Sequence, residues 1–358
     1  MDVGFHMTFG ADGWEGITDS QVYKEELALA KLADAVGFDC VWAVEHHFTS
    51  YGFCPDNLQL LSWVAAATEN VDVGTAAVIL PWNDPLRVAE KVALLDLLTD
   101  GRLRFGMGRG LARREYEAFR GVEMDESADR FTEAAGMILE ALKTGYIQGD
   151  GPFYKQPRTE IRPRPERPFE DRIYMVAASD DSIEAAARHG GAMTMFADRP
   201  WDKRAVGVEK WRQLHEQYHG HRPTRRPLTC DFIVCRANED EAKELAFQHL
   251  TTYLHSVQVH YDMLGDHFAL TKGYESYAAA ATVLTKRGGE SAMVQGFLDA
   301  AAWGTPDQVL TKLEKRRELL GDFELTTTFR FGGMPFPKAK SSMLLFASEV
   351  LPVLKTWT

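Results

Sequence analysis

Residues 71–110 read VDVGTAAVILPWNDPLRVAEKVALLDLLTDGRLRFGMGRG, and this stretch decides the fold class. Val73–Leu80 and Leu103–Gly108 are short runs apolar on both faces, as strands covered by helices should be. Between them Leu86–Leu98 has the apolar spacing of an amphipathic helix. Gly101 follows it, where a helix C-terminus commonly needs positive φ. Strand, helix and strand in that order are the unit of a parallel sheet.

The same alternation extends in both directions. Upstream lie strand candidates Val3–Met7 and Cys40–His46, with Val22–Val36 as the helix between them and Gly37 behind it. Downstream come Ile173–Ala178, Ala192–Ala197, Cys230–Arg236 and Thr327–Gly332, with helical stretches Ile183–His189 (followed by Gly190) and Asp240–Leu254. Eight strand candidates favour an α/β fold of the (β/α)8 TIM-barrel kind over a doubly wound sheet, which usually has fewer strands. Two connections exceed ordinary length and are expected as insertions after strand 4 and before strand 8. Residues 109–172 hold a helix, Phe131–Leu142, and the Gly/Pro-rich GDGPFYKQP; residues 255–304 contain YESYAAAATVLTKRGGES. Connections this long are usually lids or binding elements. Gly265, Gly273, Gly288 and Gly289 would give a lid within 259–300 its hinges. With no Pro/Gly/Ser-rich linker and no internal repeat, one domain over 1–358 is expected.

Composition narrows the function classes. A net charge of −12 disfavours nucleic acid and anionic membrane surfaces, whose phosphates would be repelled. The N-terminus MDVGFHMTFG has no basic start or apolar core of a signal peptide, and no apolar run reaches the roughly 18 residues of a membrane span. Cys40, Cys54, Cys230 and Cys235 show no C-x-x-C spacing. The expectation is a cytoplasmic protein with reduced thiols and no metal.

Catalytic groups of such barrels sit at the C-terminal strand ends. The second strand ends in Val44-Glu45-His46-His47-Phe48, where strand alternation would let only one histidine face the interior. A strand-end imidazole suits acid–base work, and it equally suits satisfying buried backbone groups. The small residues of Gly74-Thr75-Ala76-Ala77 would admit a flat ligand or pack a barrel interior. Gly106-Met107-Gly108-Arg109-Gly110-Leu111 imitates a dinucleotide fingerprint, but Leu111 holds the third glycine position and no acidic partner is placed for the ribose. Arg109 is better suited to an anion, while Arg113 and Arg114 read as a solvated face. Ser179 and Ser182, after Ala178, can cap a helix whose N-terminus can also hold a phosphate. His189, His215, His219 and His221 are expected at the surface. No G-x-S-x-G elbow supports nucleophilic catalysis.

The stretches GFDCVWAVEHHFTSYG, NVDVGTAAVILPWNDPLRVAEKVALLDLLTDGRLRFGMGRG, VAASDDSIEAAARHG, WGTPDQVLTKLE and FASEVLPVLK resemble the bacterial-luciferase-like flavin-dependent monooxygenases, especially the luciferase α subunit. They run through the chain in the family's order. The resemblance implies a (β/α)8 barrel, reduced FMN supplied by a separate, transiently bound flavin reductase, and O2 that oxygenates a small organic substrate through a flavin C4a-hydroperoxide. It implies a homodimer, formed through the early barrel helices. It places His46 as the catalytic histidine and Ala76-Ala77 as a cis peptide beneath the flavin ring. Arg109, Arg130, Ser179 and Ser182 fall where the family binds the FMN phosphate, with Ala178 beside them. Gly108 stands where luciferase has a reactive cysteine, Ala112 replaces an aromatic residue, and Tyr253 stands where a tryptophan lines the substrate cavity. Aldehyde substrates and light emission therefore do not transfer. Two rival readings remain: an F420-dependent oxidoreductase of the same fold, and a non-catalytic flavin-binding or partner subunit.

Overall fold

The computed structural model describes residues 1–357. Its strands are β1 (Val3–Met7), β2 (Cys40–Ala43), β3 (Asp72–Thr75), β4 (Val78–Ile79), β5 (Leu103–Gly108), β6 (Tyr146–Asp150), β7 (Lys155–Glu160), β8 (Ile173–Val176), β9 (Ala192–Phe196), β10 (Leu228–Phe232), β11 (Val234–Cys235), β12 (Trp303–Gly304) and β13 (Glu324–Thr328). Parallel pairing runs β3-β2-β1-β13-β10-β9-β8-β5, and β3 then pairs with β5. The sheet therefore closes on itself as an eight-stranded parallel barrel. Helices α1 (Asp19–Val36), α2 (Asn57–Ala66), α3 (Pro85–Leu98), α4 (Arg113–Ala118), α5 (Ser127–Thr144), α6 (Asp180–Arg188), α7 (Trp201–His219), α8 (Glu239–Tyr261), α9 (His267–Leu270), α10 (Glu275–Lys286), α11 (Glu290–Ala300), α12 (Pro306–Leu320) and α13 (Phe336–Leu345) follow the chain around it. Among the described residues no helix is long and apolar enough to cross a membrane.

Several strand bounds differ from the sequence reading, each for a local reason. The second strand stops at Ala43, because the His46 amide bonds to the Cys54 carbonyl and the His47 amide to Glu115 rather than to a neighbouring strand. The third is interrupted by the cis peptide Ala76-Ala77, which separates β3 from β4. The fifth and sixth end at Val176 and Phe196, two and one residues early, while the seventh runs as β10 and a short β11 around Ile233. The eighth begins at Glu324 rather than Thr327, so the reading placed it three residues late. Its Thr-rich interior hides it from an apolar pattern, while Phe329 and Phe331 beyond it are buried and imitate a strand. Glu324 belongs to a charge network at the N-terminal end of the barrel. Arg104 reaches Asp72 at 2.8 Å, Asp2 at 3.0 Å and Glu324 at 3.5 Å, and Arg225 reaches Glu324 at 2.7 Å.

The insertion after β5 contains an antiparallel hairpin, β6–β7, where the sequence predicts a helix and a Gly/Pro-rich stretch but no strand. Residues 255–304 are mostly helical, with the end of α8 followed by α9, α10 and α11. Of the four histidines expected at the surface, His215 is buried and bonds to the His221 carbonyl at 2.9 Å; His189 is half-buried, while His219 and His221 are exposed. At the crowded closure, Gly106 lies so close to the Thr75 carbonyl that a Cβ would collide with it. The same pair is joined by Thr75 Oγ1 donating to the Gly106 carbonyl at 2.8 Å.

Candidate active site

A cavity of about 1290 Å³ opens at the C-terminal ends of the strands, between the barrel mouth and helices α10 and α11. This is beyond the usual range of small-molecule sites, about 300–1,000 Å³. His46, Ala76, Ala77, Gly108, Arg109, Ala178, Ser182 and Tyr253 all line it. Ser179 sits directly behind, as the N-cap of α6. Arg130 does not line it: its guanidinium bonds Glu126 at 2.8 Å and the Gly121 carbonyl at 3.0 Å, and lies over the Phe153 ring.

His46 is held from both sides. Its Nδ1 lies 3.2 Å from Glu115 Oε1 and its Nε2 lies 3.2 Å from the Tyr261 hydroxyl. A carboxylate can only accept, so Nδ1 carries the proton and Nε2 accepts from Tyr261. Burial alone would push the Glu115 carboxyl up, but the charge and hydrogen bond of the His46 imidazole, with the His260 ring close by, hold it well below the usual carboxylate range. The His47 amide also donates to Glu115 Oε1, at 2.8 Å. His47 itself turns away from the cavity and packs against Trp82 and Phe119. The selection of His46 over His47 therefore comes from these loop contacts, because the strand has already ended.

Glu45 fixes the opposite wall. Its carboxylate accepts from the Ile79 amide at 3.0 Å, Trp82 Nε1 at 2.7 Å and Asn83 Nδ2 at 3.1 Å, tying the turn after β4 to the end of β2. Small side chains at Ala76, Ala77 and Gly108 leave this wall flat; a Cβ on Gly108 would meet Ile79 at 3.0 Å and Ala77 at 3.4 Å.

Two groups could receive an anion. Arg109 donates to the Gly273 carbonyl at 2.9 Å and lies 4.2 Å from the centre of the Tyr274 ring. At the N-terminus of α6, the Ala178 and Ser179 amides both donate to Ser182 Oγ at 2.9 Å, within a capping box. A phosphate could compete with this hydroxyl for the two amides, since helix N-termini favour anions.

Sequence reasoning missed several lining residues. Glu115 lies in the stretch read as a solvated face; a helix of six residues carries too little periodicity to reveal its one buried acid. Tyr253, Val257 and Tyr261 recur every fourth residue of α8 and face the cavity together. That helix was read as ending at Leu254, so the last two escaped. At the end of β9, Asp198 pairs with Arg199 at 3.1 Å and with Arg204 at 2.5 Å. Burial would raise its carboxyl, but the two guanidiniums draw it down to about 2. The strand-end position of Asp198-Arg199 was the available signal.

His6, on β1, was also missed. It lies on the cavity lining, 2% exposed, with Nδ1 3.3 Å from Thr328 Oγ1 and no hydrogen-bond partner at Nε2 among the described residues. Burial, with a smaller contribution from His46, lowers its pKa from 6.5 to about 4. A base with a depressed folded pKa contributes stability that is fully present above about 6.5 and lost as pH falls through about 4. Replacing His6 with Gln should flatten the stability–pH curve in that window, by up to about 3 kcal/mol. Urea unfolding at pH 7 and pH 4.5 checks this; parallel curves for the two proteins would contradict it.

The model of the family described as luciferase-like monooxygenase matches residues 1–322. The alkanal monooxygenase alpha chain of Photorhabdus luminescens is 27% identical over 341 residues, covering 94% of this chain and 93% of that one. The crystal structure of monooxygenase RslO1 from Streptomyces bottropensis is similar with a TM-score of 0.78 and 28% identity, over 99% of this chain and 100% of that one. The oxygenating constituent of 3,6-diketocamphane monooxygenase from Pseudomonas putida, a type II Baeyer–Villiger monooxygenase in complex with FMN, shares the fold with a TM-score of 0.76 at 19% identity, over 98% of both chains. An F420-dependent secondary alcohol dehydrogenase also shares the fold, with a TM-score of 0.71 at 14% identity over 98% of both chains.

Proposed function

This chain belongs to the luciferase-like monooxygenase family and is a flavin-dependent monooxygenase; from that premise we propose that it uses reduced FMN, supplied by a separate flavin reductase, and O2 to oxygenate a small organic substrate. The observation that carries this reading is one cavity lined by His46, the flat Ala76-Ala77-Gly108 wall, Arg109 and the N-terminus of α6. The residues fit a flavin mononucleotide. Arg109, Ser179 and Ser182 would hold its phosphate, which requires Ser182 Oγ to yield the Ala178 and Ser179 amides. Arg130, engaged with Glu126, would need to reorient to join them. The flat wall would take the ring, and His6 Nε2 offers a further polar contact beside it. When bound, the reduced flavin supplies the activation of O2.

The protein's own contribution is a positioned base in a chamber partly covered by α10 and α11. Glu115 fixes the tautomer with the proton on Nδ1, and the accepting Nε2 would serve as the base once the Tyr261 hydroxyl that now occupies it yields to a reacting group. Tyr253 and the rest of the aromatic wall would contact substrate. Anaerobic titration with reduced FMN and, separately, with reduced F420 tests the cofactor, and NADH-dependent O2 uptake with a flavin reductase and a substrate panel tests the reaction. Saturable binding of reduced FMN with coupled O2 uptake is expected. Binding of reduced F420 alone would replace the reading with a hydride transferase, and flavin binding without turnover on any substrate would favour a non-catalytic subunit.

Helices α10 and α11 partly cover the chamber, yet α10 buries only Ala281 of its twelve residues. So little buried surface makes a locally opening segment. Backbone hydrogen exchange across 259–300 should be faster than in the barrel strands without flavin and should slow when flavin or substrate binds. Equal protection of lid and strands without ligand would rule out a mobile lid. The early helices leave Trp63, Leu94, Leu97 and Leu98 exposed at 46%, 45%, 42% and 61%, a patch suited to a homodimer. Leu61 and Val64 pack into this chain's own core and are not available to it. Light scattering at micromolar concentration should give twice the chain mass.

A further inference from the structure

His46, Glu115 and His260 each offer one ligand atom, and these atoms all lie within 4.8 Å of one another. His46 Nδ1 is 3.2 Å and His260 Nε2 is 3.6 Å from the same Glu115 oxygen. Two imidazoles and a carboxylate bound to zinc at about 2.0–2.2 Å have their donor atoms roughly 3.3–3.5 Å apart. Two of the three separations already approach that value. His260 is 2% exposed, and its Nε2 is buried without a hydrogen-bond partner among the described residues, facing Glu115. The far nitrogen of each ring is also engaged by a hydroxyl: His260 Nδ1 with Thr49 at 2.8 Å and His46 Nε2 with Tyr261 at 3.2 Å. Metal-ligating histidines are held in this way, the outer hydrogen bond fixing tautomer and ring direction. His46 and Glu115 line the cavity, so a fourth coordination position would face it.

We propose that His46, Glu115 and His260 form a binding site for a divalent transition-metal ion of the zinc class, and that its occupancy excludes the acid–base use of His46. Coordination through Nδ1 places the remaining proton on Nε2, which then donates to Tyr261 and has no lone pair to offer the cavity. Binding of the metal rests on the three ligands alone. The inhibitory consequence rests on the proposed role of His46, so the two are measured separately.

Zinc chloride is titrated by calorimetry into the full chain after chelation and dialysis, and cobalt(II) is used as an optical probe. One tight equivalent per chain is expected, with the visible bands of low-symmetry cobalt. His260→Gln and Glu115→Gln should each weaken it roughly 100-fold or more, and Thr49→Ala, which removes only the outer hydrogen bond, about 10–100-fold. His219→Ala controls for the histidine pair at the end of α7, whose rings lie 4.5 Å apart; it should leave the tight equivalent unchanged. Circular dichroism confirms that each variant is folded, and Thr49→Ala keeps the test informative if a ligand variant is not. Absence of a tight equivalent, or its loss in His219→Ala with retention in His260→Gln, overturns the site. Tight zinc binding with unchanged flavin-dependent O2 uptake upholds the site and overturns the exclusion.

Discussion

Replacing His46 with alanine should lower turnover by roughly 10²–10⁴, the usual contribution of a positioned acid–base group. Folding and FMN affinity should be nearly intact, because the proposed phosphate contacts, Arg109, Ser179 and Ser182, come from other strand ends. Hydrogen peroxide released per NADH should rise, since reducing equivalents are spent without oxygenating substrate. The informative comparison is His46→Ala against His47→Ala under the same reductase supply. His47 faces Trp82 and Phe119 instead of the cavity, so its loss should cost packing and leave coupling unchanged. If both variants keep wild-type coupling, or only His47→Ala loses it, the proposed base is wrong.

The second large effect is expected at Glu115, a positioning residue that acts through His46. Glu115→Gln keeps the shape but allows the amide to donate where the carboxylate could only accept, so Nδ1–H is no longer enforced. A fall of roughly 10²–10⁴ in kcat, with little change in substrate KM, is expected from loss of an orienting carboxylate. The variant should also show an altered pH–rate profile, which a merely structural residue would not produce, and Glu115→Asp should restore part of the rate. The folded carboxyl is depressed below its ordinary value of 4.5. Its contribution to stability is therefore present above that pH and lost as pH falls below it. Wild type should be the more stable protein at pH 7, and the gap should close under acid. A Glu115→Gln enzyme with wild-type kcat and pH profile would remove Glu115 from the site.

Much of the barrel was legible in the residues because burial on both faces forces it. β1 and β5 were read to the residue, since an apolar run flanked by turn residues has nowhere to go except between helices. The strand-end positions of His46, Arg109 and Ser182 on the cavity followed from the architecture, and their proposed roles came from the family resemblance. Legibility failed where pattern and structure separate. β13 is threonine-rich yet wholly buried, so its polarity hid it, while the apolar Phe329 and Phe331 were mistaken for its continuation.

By itself, then, the sequence determined the alternation of strands and helices, the barrel class, the placement of His46, Arg109 and Ser182 near one rim, and the family. Only the tertiary structure decided which atoms meet. Glu115 and His260 are 145 positions apart on separate insertions, yet both converge on His46 within 4.8 Å. No periodicity records that convergence, because each residue sits on an ordinary helix whose direction is set by packing against the barrel mouth. Likewise Arg130 was placed with the phosphate group by its neighbours in sequence, while the fold gave its guanidinium to Glu126, one helical turn away. Local pattern reports which face of an element is buried; the partner across the cavity is fixed only when the barrel closes and brings distant loops to the same rim.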